Sequence, residues 1–127
     1  MKKIILTSKA PKPIGPYSQA VQANGILFIS GQVPLDPETG QVIFSSIREQ
    51  ARRVLENIKA VVEAANSNLS AIVKTTIFLK NLDSFDEVNQ IYSEYFAEIK
   101  PARTTVEVSR LPKGVDIEID AIAILER

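Results

Sequence analysis

Two stretches of this chain repeat apolar residues on one side only, at helical spacing, and that pattern restricts the fold more than any other feature. Ser46-Ile47-Arg48-Glu49 has the form of a capping box, in which serine and glutamate side chains satisfy backbone N–H groups at a helix start. Behind it, Ile47, Ala51, Val54, Leu55, Ile58, Val62 and Ala65 share one face, which predicts an amphipathic helix running to about Ala65. Ser84-Phe85-Asp86-Glu87 opens a second capped helix, with Phe85, Val88, Ile91, Tyr92, Tyr95, Phe96 and Ile99 as its apolar face. Pro101 ends it, because the residue before a proline is pushed out of the α region. Two helices of this length can cover one face of a single sheet.

The remaining segments supply the strands. Ser18 to Ala23 and Ile26 to Ser30 flank Asn24-Gly25, the pair that supplies the positive φ angles of a type I′ hairpin turn. Gly31, Pro34, Pro37 and Gly40 follow, so strand pairing is expected to bend or break there as a loop or bulge. After Asn66-Ser67-Asn68, residues Ile72 to Leu79 read as a buried strand, and Pro101 to Ile124 as two more. The predicted order is β-β-α-β-α-β-β, with an extra short strand possible near Gln41 to Ile43. The 127 residues suffice for one domain with a real core, spanning 1–127, and not for a second.

The last two strands carry an arginine and a glutamate among apolar and hydroxylic residues. By alternation Arg103, Thr105 and Glu107 share one face, while Val115, Ile117, Ile119, Ala121 and Ala123 form a core face opposite Asp116, Glu118 and Asp120. If Ser109 to Gly114 connects a hairpin with Val108 opposite Val115, Thr105 lies opposite Glu118 and Arg103 opposite Asp120. Arg103 and Glu118 are then diagonal neighbours, roughly 7 to 8 Å apart. That gap suits a small anionic molecule, although on residue types alone a cross-strand salt bridge is the favoured reading. On this reading Thr76, Arg103, Thr105 and Glu118 lie on the sheet face that the helices leave open. That face is wet or covered by another subunit, and clefts between subunits are natural small-ligand sites.

Composition removes whole classes of chemistry. The chain has no cysteine and no histidine, which excludes disulfides, thiolate nucleophiles, zinc sites built on those residues and Ser-His-Asp triads. Asp36 and Glu38, or Asp83, Asp86 and Glu87, could supply oxygen ligands to magnesium, but the first pair lies in the turn sequence LDPETG and the second cluster in a helix first turn. We expect no metal. Fifteen basic residues balance fifteen acidic ones, so nothing advertises a nucleic-acid or membrane surface. MKKIILTSKAPKP is too short in apolar residues for a signal peptide or membrane span, and a cytoplasmic location is expected.

An ordered set of segments resembles the RidA (YjgF) family of enamine/imine deaminases across nearly the whole chain. They are IGPYSQA at 14–20, SGQVPLDPETG at 30–40, VKTTIFLKNLDSF at 73–85, VNQIYSEYF at 88–96 and PARTTVEVSRLPKGVDIEIDAIA at 101–123. The resemblance implies a chorismate-mutase-like α+β fold and a homotrimer with pockets between neighbouring subunits. It implies hydrolysis of 2-imino acids such as 2-iminopropanoate and 2-iminobutanoate to 2-oxo acids and ammonia, without a cofactor. It places the carboxylate-binding arginine at Arg103, the water-handling glutamate at Glu118 and a pocket tyrosine at Tyr17. Ser30, Gly31, Asn89 and Thr105 resemble further pocket residues; many members have Cys or Ser at Thr105, so no thiol role is expected here.

Each of these residues also has a plain structural reading. Tyr17 is otherwise a core aromatic with its hydroxyl at the surface, Gly31 a strand bulge, Asn89 an exposed polar position on a helix. Lys74 could in principle form a Schiff base with a carbonyl, but a solvent-facing strand lysine is the simpler reading. Two other functions compete with the deaminase: a non-catalytic binder of small 2-oxo or amino acids, and a ribonuclease or translation inhibitor. Neutral charge and the lack of a histidine acid/base pair weaken the last.

Overall fold

The computed structural model describes residues 1–125 and shows an α+β fold of two helices on one face of a mixed six-stranded sheet. The strands are β1 (Lys3–Ile5), β2 (Ala20–Ala23), β3 (Ile26–Gln32), β4 (Ile72–Leu79), β5 (Ala102–Glu107) and β6 (Ile117–Ile124), and the helices α1 (Ile47–Ala64) and α2 (Phe85–Tyr95). The sheet order is β1-β2-β3-β6-β4-β5. β1 is an edge strand the sequence reading omits. The Gln41–Ile43 region contributes only an isolated bridge, Leu35 to Val42.

Local signals largely hold. Asn24 and Gly25 have φ of 52° and 76°, and β2 and β3 pair in register around them. Ser46 Oγ accepts from Glu49 N at 3.2 Å, and Ala51, Val54, Leu55, Ile58 and Val62 are fully buried. Ile77, Leu79, Ile117, Ile119 and Ala123 meet that helix face in one core. The register shift between Ile29 and Gln32 is the bulge expected at Gly31. α2 departs from expectation at both ends. Ser84 makes no side-chain cap bond, because a 3₁₀ turn over Leu82–Ser84, capped by Asn81, leads directly into the helix. The helix stops at Tyr95, with Phe96 at φ −124°, ψ 57°, well before Pro101.

The largest correction concerns the last two strands, which do not pair. β4 lies between them: β5 runs parallel to β4, with Arg103 beside Thr75 and Thr105 beside Ile77, and β6 runs antiparallel on the other side, with Glu118 beside Phe78 and Asp120 beside Thr76. The β4-α2-β5 segment is a βαβ unit, whose crossover helix returns the chain parallel to the strand it left. Arg103 and Thr105 share a face with buried Thr75 and Ile77, and so lie on the helix side. Glu118 and Thr76 are on the open side, as expected.

Candidate functional site

The seven candidate residues form two groups on opposite faces of the sheet. Tyr17, Ser30, Gly31 and Glu118 line one cleft of about 410 Å³ on the open face. Arg103, Asn89 and Thr105 gather at the β5 edge under α2. Three residues along the strands and two strand spacings separate Arg103 from Glu118, roughly 14 Å between Cα atoms. Their side chains then leave in opposite directions, so neither a salt bridge nor one small ligand joins them within a single chain.

Glu118 is the charged residue at the centre of the first group. It is half-buried, and burial first, then the charge of Asp120 two residues on, pushes its pKa above the ordinary glutamate value. Its carboxylate rests against the bulge. A Cβ on Gly31 would sit 1.9 Å from Glu118 Oε2 and 2.8 Å from Cδ, so this position admits only glycine while Glu118 stays in place. The bulge is secured from the other side by Ser30, whose hydroxyl donates to Ser18 O at 2.6 Å and whose N–H donates to Gln19 O at 3.1 Å. Tyr17 follows a tight turn closed by its N–H on Gly15 O at 2.8 Å, and its ring is 52% exposed, contrary to the core-aromatic alternative.

These contacts predict the effect of one methyl group. In Gly31→Ala, the flexible Glu118 side chain moves aside rather than the backbone, so the melting temperature should change by only a few degrees. Displacing a catalytic group by about 1 Å can cost on the order of 10²-fold in rate. Ligand binding or turnover equal to wild type would show that the Glu118 position against Gly31 is unimportant.

In the second group, Arg103 Nη2 donates to Asn89 Oδ1 at 2.7 Å, and the guanidinium lies 4.9 Å from the Tyr92 ring centroid and 5.3 Å from that of Phe85. Tyr92 is itself fixed by its hydroxyl against Thr75 Oγ1 at 2.6 Å. Burial pushes the Tyr92 hydroxyl pKa up, while Thr75 and the Arg103 charge oppose it. Among the described residues no carboxylate pairs with Arg103; the ion pairs are Arg48–Glu87 and Arg52–Glu94 on the helices. Asn89 is therefore half-buried and engaged, not simply an exposed helix polar residue. The result is a cation placed over two rings, with most of its N–H donors uncommitted, suited to gripping a carboxylate.

A family model described as Endoribonuclease L-PSP matches residues 7–125. A RutC family protein of Pyrococcus horikoshii is 56% identical over 126 residues, covering 99% of this chain and 100% of that protein. A 2-iminobutanoate/2-iminopropanoate deaminase of Salmonella typhimurium is 50% identical, covering 98% of each. The chain belongs to the RidA (YjgF) family. The crystal structure of the YjgF gene product of Escherichia coli superposes with a TM-score of 0.93 at 48% identity, covering 98% of this chain and 99% of that one.

Other polar residues of this RidA-family chain shape the cleft and escaped the sequence reading. Gln19, Gln32, Gln50 and Asn57 are all buried. Gln50 Nε2 donates to Asp116 Oδ2 at 2.8 Å while its Oε1 accepts from Asp116 N at 3.0 Å, holding the entry to β6 two residues before Glu118. Asn57 Nδ2 donates to Val33 O and Leu35 O, holding the loop beyond the bulge. Their signal was available: 50 and 57 fall on the apolar stripe of α1, where a polar residue must find a partner when buried. Of the acidic residues considered for magnesium, Asp36 Oδ1 accepts from Glu38 N and Thr39 N, and Glu87 pairs with Arg48. Lys74 lies on the open face with Thr76, partly exposed, and donates to Thr75 O, Thr76 Oγ1 and Thr104 Oγ1. No helix of the described residues is long and apolar enough to cross a membrane.

Proposed function

We propose that this protein is a cytoplasmic, cofactor-free deaminase of reactive 2-imino acids such as 2-iminopropanoate and 2-iminobutanoate, and that its site is completed between subunits of a chorismate-mutase-like homotrimer. The observation that carries the reading is the pairing of an uncompensated, ring-clamped Arg103 with a half-buried Glu118 of raised pKa, in a family with deaminase relatives. Because the two lie on opposite faces of one chain, a ligand touching both needs Arg103, Asn89 and Thr105 from one subunit and Glu118, Tyr17, Ser30 and Gly31 from its neighbour.

The chemistry is within reach of this small toolkit. Arg103 presents two parallel N–H donors to the substrate carboxylate and fixes the C2=N bond in one orientation. Glu118 holds a water near C2; its raised pKa makes it a better base than an ordinary glutamate. As the water oxygen bonds to C2, Glu118 takes one water proton and passes it to the imine nitrogen, giving a neutral carbinolamine. The Glu118 carboxylate then takes the carbinolamine hydroxyl proton and delivers it to the amino nitrogen, so that the C2–N bond breaks, the C2=O bond of the 2-oxo acid forms and ammonia leaves. Imines already hydrolyse in water, so orientation and one positioned base suffice for a useful acceleration.

The ribonuclease activity named in the family description finds less support in these residues. A chain with formal net charge zero and no histidine offers neither a phosphate track nor the usual acid/base pair.

Subunit complementation tests the shared site directly. Arg103→Ala and Glu118→Gln should each retain no more than about one hundredth of wild-type activity alone. When co-expressed in equal amounts, about one third of the interfaces in mixed trimers, or about one quarter of all interfaces, combine a wild-type Arg103 with a wild-type Glu118 across the boundary, and activity should return accordingly. Mixed trimers with no recovered ammonia release would rule out a site shared in this way.

A further inference from the structure

We propose that Gln19 is a positioning residue: it fastens an N-terminal strap so that Pro11, Pro13 and Ile14 form an aliphatic wall of the Glu118 cleft, and this wall binds the substrate's side chain. The inference rests on the deaminase reading and extends it to selectivity among 2-imino acids.

Residues 6–19 cross the mouth of the cleft without regular secondary structure. They need an anchor, since Pro11, Pro13 and Pro16 have no N–H to donate. Gln19 supplies it. Its side chain is 1% exposed, and its Oε1 accepts from Thr7 N at 2.8 Å. Its Nε2 lies within bonding distance of Thr7 O at 3.1 Å, Ala10 O at 3.3 Å and Pro11 O at 2.9 Å. The reciprocal pair with Thr7 imitates a backbone ladder rung and prolongs the β1–β2 pairing beyond its last rung, Ile5 to Ala20. Ala10, 2% exposed, tucks into the core beneath.

One amide thus determines where the next four residues lie. Pro11, Pro13 and Ile14 line the cleft together with Val33 and Leu35, while Glu118 and Tyr17 supply its polar side. Ile14 is 65% exposed, so its side chain is open to a ligand in the cleft. With the carboxylate of a 2-imino acid on Arg103 and its C2 beside Glu118, an alkyl side chain is the part left to meet an aliphatic wall. Lys12 and Lys113, also on the lining, are exposed and leave their charged heads to water.

The test compares 2-iminopropanoate, 2-iminobutanoate and 2-iminopentanoate, which differ by one methylene each. In wild type, kcat/KM should rise about fourfold per methylene, the value of burying one CH₂ group, with most of the change in KM. Gln19→Leu keeps side-chain size and removes the clasp. It should reduce that ratio to below about twofold and speed amide exchange at residues 7–14, with β3 and β6 still protected. Ile14→Ala shortens the wall at an exposed position without touching the clasp, and should lower the ratio even if Gln19→Leu does not fold. A wild-type series with no dependence on chain length overturns the wall, and a Gln19→Leu loss equal for all three substrates overturns the positioning role. If wild type turns over none of them, the deaminase reading itself fails; calorimetric binding of the matching 2-oxo acids then reads the same length dependence for the wall alone.

Discussion

Glu118→Gln should lower turnover by about 10² to 10⁴, the range for losing one positioned acid or base, while leaving the fold intact. The substitution keeps size and shape against Gly31 and removes only the charge and the proton-accepting carboxylate. Activity and stability should part company, and pH separates them. Because burial and Asp120 raise the folded-state pKa of Glu118 above the ordinary 4.5, the folded protein holds this proton more tightly than the unfolded chain does. The stability it contributes is present below the unfolded pKa and is lost as pH rises through the folded one. The Gln variant escapes that loss, so at pH 7.5 it should melt at or above the wild-type temperature, and the gap should close below about pH 4.5. Wild-type kcat/KM should fall on the acid side with a midpoint above that of an ordinary glutamate, and the residual activity of the variant should lack that limb. A 2-oxo acid should still bind, since Arg103 is untouched. Near-normal ammonia release from the Gln variant would remove Glu118 from the mechanism.

Arg103→Lys should reduce kcat/KM by about 30- to 1,000-fold, corresponding to about 2 to 4 kcal/mol of lost transition-state binding. Lysine keeps the charge and loses three things at once: the planar fork, the guanidinium's contacts with the Phe85 and Tyr92 rings, and the bond that fixes the group to Asn89 Oδ1. The ammonium samples many positions where the guanidinium occupies one, so KM rises and the C2 atom is held less well for attack. Folding should suffer little, because the site is partly exposed and a cation over a ring there is worth about 0.5 to 1 kcal/mol. Kinetics and thermal melting of the one variant check both halves. Activity within twofold of wild type would end the case for Arg103 as the carboxylate anchor.

Features governed by neighbours in the chain were legible in advance. Asn24-Gly25 specifies a turn that few other pairs adopt, Ser46 and Glu49 mark a helix start, and alternation in residues 115–123 separates core from surface. The site residue types were legible as well: Gly31 at a bulge, Arg103, Thr105 and Glu107 on a common face, Glu118 opposite the core. The end of α2 was misread because Pro101 sets only the latest point at which a helix can stop. The partners of Gln19, Gln50 and Asn57 were not legible, since a polar residue on an apolar stripe announces that it needs a partner without naming it.

The sequence by itself determined the two helices and five of the six strands, the residues most of them turn inward, and that any chemistry must rest on carboxylates, guanidinium and hydroxyls rather than thiol or imidazole. Only the tertiary structure decided which strands are neighbours. Alternation fixes relative faces along one strand and is silent on which other strand lies beside it, because either pairing satisfies the same backbone groups. Here the α2 crossover carried β5 parallel to the outer side of β4, and β6 took the place between β4 and β3. That single choice of strand order sent Arg103 to the helix face and left Glu118 on the open one.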